Sequence, residues 1–275
     1  MKRLVIVTSS DVAPGALRLQ QAARQAGHDA ALALVAQPDT PGVIQRADAV
    51  IYRVSPVSVP ACQLLISQLS GQSAELLQHV MVAFNKVESL HIMQRHATPL
   101  PRTMVLSSLN QSDQILLPAV LKIPQGNKGD GVYLVQQASD IAALGHKQGT
   151  HQSFLCQEFI AEAAGADIRL FVVGNRVVAA MQRTAPAGEF RSNVHQGGTA
   201  TPYQPTAQEA ALAVHVTAIH GLPFAGVDIV QSSRGPLVLE INPSPGFAIE
   251  KITGCNIATH VVHYVMGEDD DHTNT

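Results

Sequence analysis

The chain has no tryptophan, and only seven phenylalanines and four tyrosines among 275 residues. Flat side chains on which bases could stack are therefore scarce, which argues against a nucleic-acid platform. Positive charge is also short, with 18 Lys and Arg against 21 Asp and Glu and a net charge of −3. No basic footprint for nucleic acid is present. Cysteine is limited to Cys62, Cys156 and Cys255, widely spaced and without a CxxC pair. That number suits a reduced, cytoplasmic setting rather than a disulfide framework. Long apolar runs are missing as well. In MKRLVIVTSSD only Leu4 to Val7 is continuous, too short for a signal-peptide core and better read as a strand. No stretch approaches the ~20 apolar residues of a membrane helix. No GxGxxG follows that strand and no GK[ST] opens a helix, so neither the dinucleotide nor the Walker phosphate loop is available. No Ser–His or Cys–His arrangement suggests a protein nucleophile.

What is there is a chain 46% apolar and 14% charged, enough for a large core in two lobes or one large domain. Leu4–Val7, Ala30–Val35 and the run 48–53 read as strands, and Pro14–Gly27 and Pro60–Leu69 as helices. Their alternation predicts a parallel sheet, an open α/β lobe over roughly residues 1–97. After the linker-like TPLPRT at 98–103 strand signals dominate: Ala119–Ile123, Val132–Val135, Phe154–Glu158, Asp167–Val173 and Arg176–Gln182. The turn Val173-Gly174-Asn175-Arg176 joins the last pair as an antiparallel hairpin. Thr206–His220 reads as a helix with Thr206 and Glu209 as its capping box. Gly226–Val230 and Leu237–Asn242 are two more strands, and Ile257–Met266 is the last helix. The acidic tail, 268–275, is expected to be frayed. No internal repeat is evident.

The segment LVLEINPSPGF carries an acid and an amide in an apolar strand. Side chains alternate across a strand, so Glu240 and Asn242 share one face and Leu239 and Ile241 point to the other, into a core. If AGVDIV pairs with this strand, Asp228 joins them. Two carboxylates and an amide oxygen are what a magnesium ion takes, with other positions left for water and phosphate. On spacing alone, solvent-facing charges on an edge strand explain the same residues equally well. Lys122 ends AVLKIP, and QGNKGDG follows; glycines there let backbone N–H groups approach phosphate, although a structural hairpin loop fits too. Lys86 follows the strand-like run VMVAF and opens a helix, Val87–His96; a solvated surface lysine is the plain reading. The stretch GEFRSNVHQGGT contains Arg191, whose planar fork suits carboxylate or phosphate, and it reads equally as a surface loop. His260 and His263 in HVVH lack a third ligand for zinc.

Together, LKIPQGNKGDGV, CQEFI, GADIRLFVVGNRVVAAMQR, GEFRSNVHQGG, FAGVDIV and LVLEINPSPG occur in an order that resembles the ATP-grasp superfamily. Within it the chain is most similar to the RimK-type glutamate ligases, over about residues 80 to 265. The resemblance implies an α/β chain, α+β in its catalytic part. An N-terminal open parallel lobe (1–97) would precede an ATP-grasp domain (98–267) with a central lobe at about 98–160 and a C-terminal mixed-sheet lobe at 161–267. It implies Asp228, Glu240 and Asn242 as ligands of one or two magnesium or manganese ions. Lys86 and Lys122 would hold ATP phosphates. Gln157, Glu158, Phe159 and Ile160 would form the adenine hinge. Asp167 would contact ribose or the hinge, and Arg183, which ends the strand VVAAMQR, is placed to reach the same pocket as Arg191. Arg191, Ser192 and Asn193 would face the phosphates and the reacting carboxylate, Arg191, Asn193 and Lys122 being catalytic. Gly126, Gly129 and Gly131 would form the lid. Two departures stand out. The lid reads QGNKGDG where EGTQGIG is the expected kind, and Pro243 stands where a small residue is common.

The implied reaction is ADP-forming carboxylate–amine ligation through an acylphosphate. ATP, glutamate or another amino acid, and a carboxylate acceptor (a protein C-terminus, a peptide or a small molecule) would be the partners, with a homo-oligomer expected by resemblance. A ligase for free amino acids or small metabolites, and a non-catalytic nucleotide-binding regulator, are the competing readings.

Overall fold

A computed structural model describes residues 1–124, 131–186, 188–190 and 197–268. The expectations for Gly126, Gly129, Arg191, Ser192, Asn193 and the tail from 269 lie outside the described residues.

The N-terminal part begins with β1 (Arg3–Thr8), α1 (Pro14–Gln25), β2 (Asp29–Leu34), α2 (Thr40–Gln45) and β3 (Ala49–Arg53). The strands form a parallel sheet in the order β2-β1-β3, as alternation predicted. β1 is central and Leu4 to Val7 are wholly buried. That explains its unbroken apolar run: both faces of a covered parallel sheet need apolar residues. α1 starts with Pro14 in its first turn and buries Ala16, Leu19, Ala22 and Ala23. It ends at Gly27, whose φ of +82° is a left-handed value that glycine tolerates.

Three helices follow, α3 (Val59–Gln68), α4 (Gly71–Phe84) and α5 (Lys86–Arg95). The expected strand at VMVAF is instead the last turns of α4. Leu77, Val80 and Ala83 are its buried residues, spaced by three as a helix face requires; packing decided where the local apolar run was ambiguous. Asn85 caps α5, its Oδ1 accepting from the N–H groups of Val87 and Glu88 at 3.1 and 3.3 Å. The cap makes Lys86 the first residue of that helix.

The central part contains β4 (Thr103–Leu106), β5 (Ala119–Lys122), β6 (Val132–Val135), α6 (Ala138–Gln148) and β7 (Phe154–Glu158). The strands are antiparallel in the order β4-β7-β5-β6. β4 and α6 had no counterpart in the sequence reading. The C-terminal part has β8 (Ala166–Val173), β9 (Arg176–Thr184), β10 (Thr199–Pro202), α7 (Ala207–Ile219), β11 (Phe224–Val230), β12 (Leu237–Asn242), α8 (Ile249–Thr253) and α9 (Ile257–Met266). Its antiparallel sheet runs β10-β9-β8-β11-β12. The hairpin at Gly174 and the capping box between Thr206 and Glu209 are both present.

Three cores hold these parts. The first joins Val5, Val7, Leu77 and Val80 to Leu170, Val227, Ile229 and Val238. The second joins α1 to Phe171, Phe224 and α9. The N-terminal sheet and the five-stranded sheet therefore share their interiors. The third core, around Leu106, Leu121, Ile141, Leu144 and Phe154, belongs to the central part alone. Each fully buried leucine or phenylalanine there contributes roughly 1.5–3 kcal/mol.

Candidate active site

The five-stranded sheet has an apolar face and, toward one end of the other face, a row of charges. On β8, Ile168, Leu170 and Val172 enter the first core, so Asp167 and Arg169 emerge on the opposite side. β11 behaves the same way, with Ala225, Val227 and Ile229 in the core and Asp228 opposite. Register then aligns the charges. Asp228 stands opposite Arg169 on one side and Glu240 on the other, and Asp167 stands opposite Arg183. β12 is an edge strand, whereas β11 is interior. The edge-strand reading of this segment thus describes Glu240 but not Asp228, which is 2% exposed.

Asp228 is held by two arginines. Arg169 donates from Nε to Oδ1 at 2.7 Å and from Nη2 to Oδ2 at 2.6 Å. Arg183 donates from Nη2 to Oδ2 at 2.7 Å, and it also grips Asp167 through Nε and Nη2 at 2.6 Å each. Burial alone would raise the Asp228 carboxyl; Arg169 and Arg183 more than reverse this and hold it well below the carboxylate range. Burial works against both guanidinium charges too, but the acids opposite keep each above its ordinary value. Arg169 was not singled out in the sequence. The signal was available, since it lies two residues after Asp167 and so shares its face.

One expectation on β12 is corrected. Pairing slips between Asp228 and Ile229: Asp228 faces Glu240, but Ile229 faces Val238. Leu239 is the extra residue of a β-bulge. Val238 takes the core position, and Leu239 lines the cleft beside Glu240 and Asn242. Strict alternation had placed Leu239 inside.

The cleft in front of this face has a volume of about 870 Å³ and takes walls from all three sheets. Lys86, Lys122, Gln157, Glu158, Phe159, Ile160, Asp167, Arg183, Asp228, Glu240 and Asn242 all line it. Gly131 does not; its left-handed turn packs on Ile123. Burial pushes the Lys86 ammonium below its ordinary pKa, with Glu240 opposing. Lys122 is likewise lowered, first by burial; Glu240 opposes, Lys86 adds to the lowering, and Asp228 and Asp167 oppose. Lys122 therefore feels Lys86 and three carboxylates across the cleft, and Lys86 feels Glu240. The solvated-surface reading of Lys86 does not hold.

At the end of β7, Gln157 is buried and its Nε2 donates to Thr103 Oγ1 at 3.2 Å. Phe159 meets Phe190 edge to face at 6.4 Å. Glu158 accepts from the Arg102 N–H at 3.0 Å and from Arg234 Nη2 at 2.8 Å. Its side chain thus ties the central sheet to the β11–β12 turn. Sequence reasoning also missed Thr8, Ser9, Ser10 and Arg53, which bring the N-terminal sheet into the cleft wall.

The donor set suits a hard divalent cation, with unequal roles. Asp228 already accepts three hydrogen bonds from arginines, leaving about one of roughly four acceptor positions. Asn242 Oδ1 accepts one, from the Ser244 N–H at 2.9 Å. Glu240 has no hydrogen-bond donor among the described residues. Glu240 and Asn242 would therefore be the main holders of magnesium, with Asp228 supplying at most one oxygen. Among the described residues no group of three or more His, Cys, Asp or Glu could hold a metal by itself. A site with few protein carboxylates, completed by substrate oxygens, is the usual magnesium arrangement.

Residues 83–265 match the model of the RimK-like ATP-grasp domain, and the chain belongs to that family. A curated relative, a probable alpha-L-glutamate ligase of Legionella pneumophila (strain Corby), is 42% identical over 188 residues, covering 66% of this chain and 62% of that protein. The match thus spans less than two thirds of the relative's length. The fold is similar to a RimK domain ATP-grasp protein from Sphaerobacter thermophilus DSM 20745, with a TM-score of 0.72, 22% identity, and coverage of 96% and 99% of the two chains. It is also similar to the ATP-grasp ligase PsnB in complex with a minimal precursor, Mg and ADP, with a TM-score of 0.68, 16% identity and 96% of each chain covered. Among the described residues no helix is long and apolar enough to cross a membrane.

Proposed function

We propose that this protein is an ATP-dependent carboxylate–amine ligase that joins an amino acid, glutamate first among candidates, to a carboxylate acceptor. The observation that carries the reading is the meeting of Lys86, Lys122, Asp228, Glu240 and Asn242 in one cleft, where the lysines are desolvated and balanced by Glu240. Two partly desolvated cations beside an acid are suited to polyphosphate with its metal ion. The name carried by the Legionella relative supports glutamate as the amine.

In this reading Lys86 and Lys122 bind the phosphate oxygens and orient the γ-phosphoryl group. Glu240 and Asn242, with one oxygen of Asp228, would hold magnesium or manganese, which when bound supplies neutralisation of phosphate charge. A carboxylate oxygen of the acceptor attacks the γ-phosphorus while the bond to ADP breaks, giving an acylphosphate. The amine then attacks the acyl carbon, the bond to phosphate breaks, and the nitrogen loses its extra proton. The two arginines keep Asp228 ionised and in place. Leu239, Phe159 and Phe190 offer apolar walls that limit water near the acylphosphate. Arg191, Ser192 and Asn193 enter by resemblance, as the group facing the reacting carboxylate, and Gly126 and Gly129 as the lid.

The test is ADP release from ATP and magnesium, screened over amino acids against protein, peptide and small-molecule carboxylates, with mass spectrometry of the products. An amide product dependent on both amine and acceptor is expected. Tight nucleotide binding with no such product across the screen would favour a regulatory nucleotide-binding role.

A further inference from the structure

Among the described residues, the buried Arg183 and the half-buried Arg169 and Arg53 turn their guanidinium groups inward to different ends. Arg169 and Arg183 each grip an aspartate with two nitrogens. Arg53 grips nothing: its Nε and Nη1 are buried and have no hydrogen-bond partner among the described residues. Burial lowers its pKa to about 10, which still leaves it cationic at neutral pH. Enclosed guanidinium nitrogens without a partner are costly and are rarely kept without use.

Its placement indicates the use. Arg53 ends β3 and lies at the same edge of the parallel sheet as Thr8 at the end of β1. Outside the carboxyl ends of the strands is where open α/β sheets bind ligands. Ser9 and Ser10 follow Thr8, and all three line the cleft with Arg53. Ser9 Oγ is fixed by Ser58 Oγ at 2.6 Å and takes the Ser55 N–H at 3.2 Å. The guanidinium carbon lies 5.2 Å from the centre of the Phe247 ring, in the loop that leaves β12 just after Asn242. Stacking aligns the fork but satisfies none of its donors. Gly15 makes the room: a Cβ there would sit 2.5 Å from Arg53 Nη2.

Resting on the ligase reading above, we propose that Arg53 anchors a carboxylate of the incoming amino acid that does not react, so that it is a specificity-determining residue for the amine substrate. An idle guanidinium fork matches a carboxylate in two parallel hydrogen bonds. Phosphate is served elsewhere in the cleft, by Lys86 and Lys122, so Arg53 is left for a second anion. An amino acid brings at least one carboxylate that stays intact through ligation, and glutamate brings two.

Arg53→Met keeps the length and the packing on Phe247 and removes the charge. With L-glutamate as amine, its KM should rise at least about tenfold, as expected for the loss of a charge-assisted pair. Turnover at saturation should stay within about threefold and ADP affinity within about twofold. Arg53→Lys should recover part of the loss, and Gly15→Ala, which crowds Nη2, should reproduce part of it. These two also read the site if Arg53→Met does not fold. A second measurement needs no turnover: calorimetric titration of L-glutamate, and of glutarate, which has carboxylates but no amine, into the protein loaded with ADP and magnesium. Binding to the wild type that weakens at least about tenfold in Arg53→Met supports the anchor even if no amide product is ever found, in which case only the ligase reading falls. Equal affinity of wild type and variant, or no binding of either probe to the wild type, overturns the anchor and leaves the ligase reading standing.

Discussion

Arg183 donates through a single nitrogen, Nη2, to both Asp167 and Asp228, at 2.6 and 2.7 Å. It is the clamp between the β8–β9 pair and the acid on β11. At 4% exposure, it cannot be replaced by water if removed. Arg183→Met should therefore leave two buried carboxylates short of a partner and cost about 3–5 kcal/mol. Urea unfolding at neutral pH checks this; a loss under about 1 kcal/mol would mean that the two aspartates are held without Arg183.

Glu240→Gln preserves shape and removes one anion. It takes away the main free oxygen pair for magnesium and also the acid that opposes the lowering of the Lys86 and Lys122 pKa values. ADP release should fall by roughly 100-fold or more, with the thermal midpoint little changed because Glu240 is on an edge strand. Turnover within a few fold of wild type would remove Glu240 from the metal assignment.

Lys122→Met should weaken nucleotide binding by about 10- to 100-fold, the worth of one hydrogen bond to a charged phosphate. Titration with ADP and magnesium measures it directly. The reason is the enclosed position of Lys122 at the end of β5, facing Glu240, Lys86, Asp228 and Asp167 at once. An unchanged dissociation constant would place the phosphates elsewhere in the cleft.

A pH effect on stability is expected from His220, buried between α5 and α7. Its Nδ1 lies 2.8 Å from the Val216 carbonyl, so that nitrogen carries the proton, and its Nε2 meets Ser89 Oγ at 2.9 Å. Burial lowers the pKa, Val216 opposes, and His96 and His79 add to the lowering. The unfolded chain then binds the proton more readily. Stability is whole above pH ~6.5 and falls as pH drops below it, by up to about 1.4 kcal/mol per unit. Comparing urea midpoints at pH 7.5 and 5.5 for wild type and His220→Gln should show the smaller pH loss in the variant. Parallel losses would assign the effect to other groups.

Much of this was legible in the sequence where a regular period was unbroken. The face shared by Glu240 and Asn242 followed from strand alternation, and the helix at Thr206 from a capping box that is present. Leu239 was misplaced because a bulge interrupts that alternation, and nothing local announces a bulge. VMVAF was misread because five apolar residues fit a strand or a helix until α4 is seen to pack on the core. Arg53 was passed over for another reason. An arginine ending a strand looks like an exposed stop, and only the approach of Gly15 and Phe247 from distant parts of the chain encloses it.

The separate core of the central sheet has a thermodynamic consequence. Because the N-terminal and five-stranded sheets share two interiors, neither can open without exposing the other. β5 and β6 draw on a small apolar cluster of their own. Their amide protons should exchange with solvent through a sub-global opening of lower free energy than those of β1 and β11, which should exchange together. Nucleotide seated on Lys122 would then act as a staple on the least cooperative third of the molecule. It would slow exchange in β5 by far more than in β1.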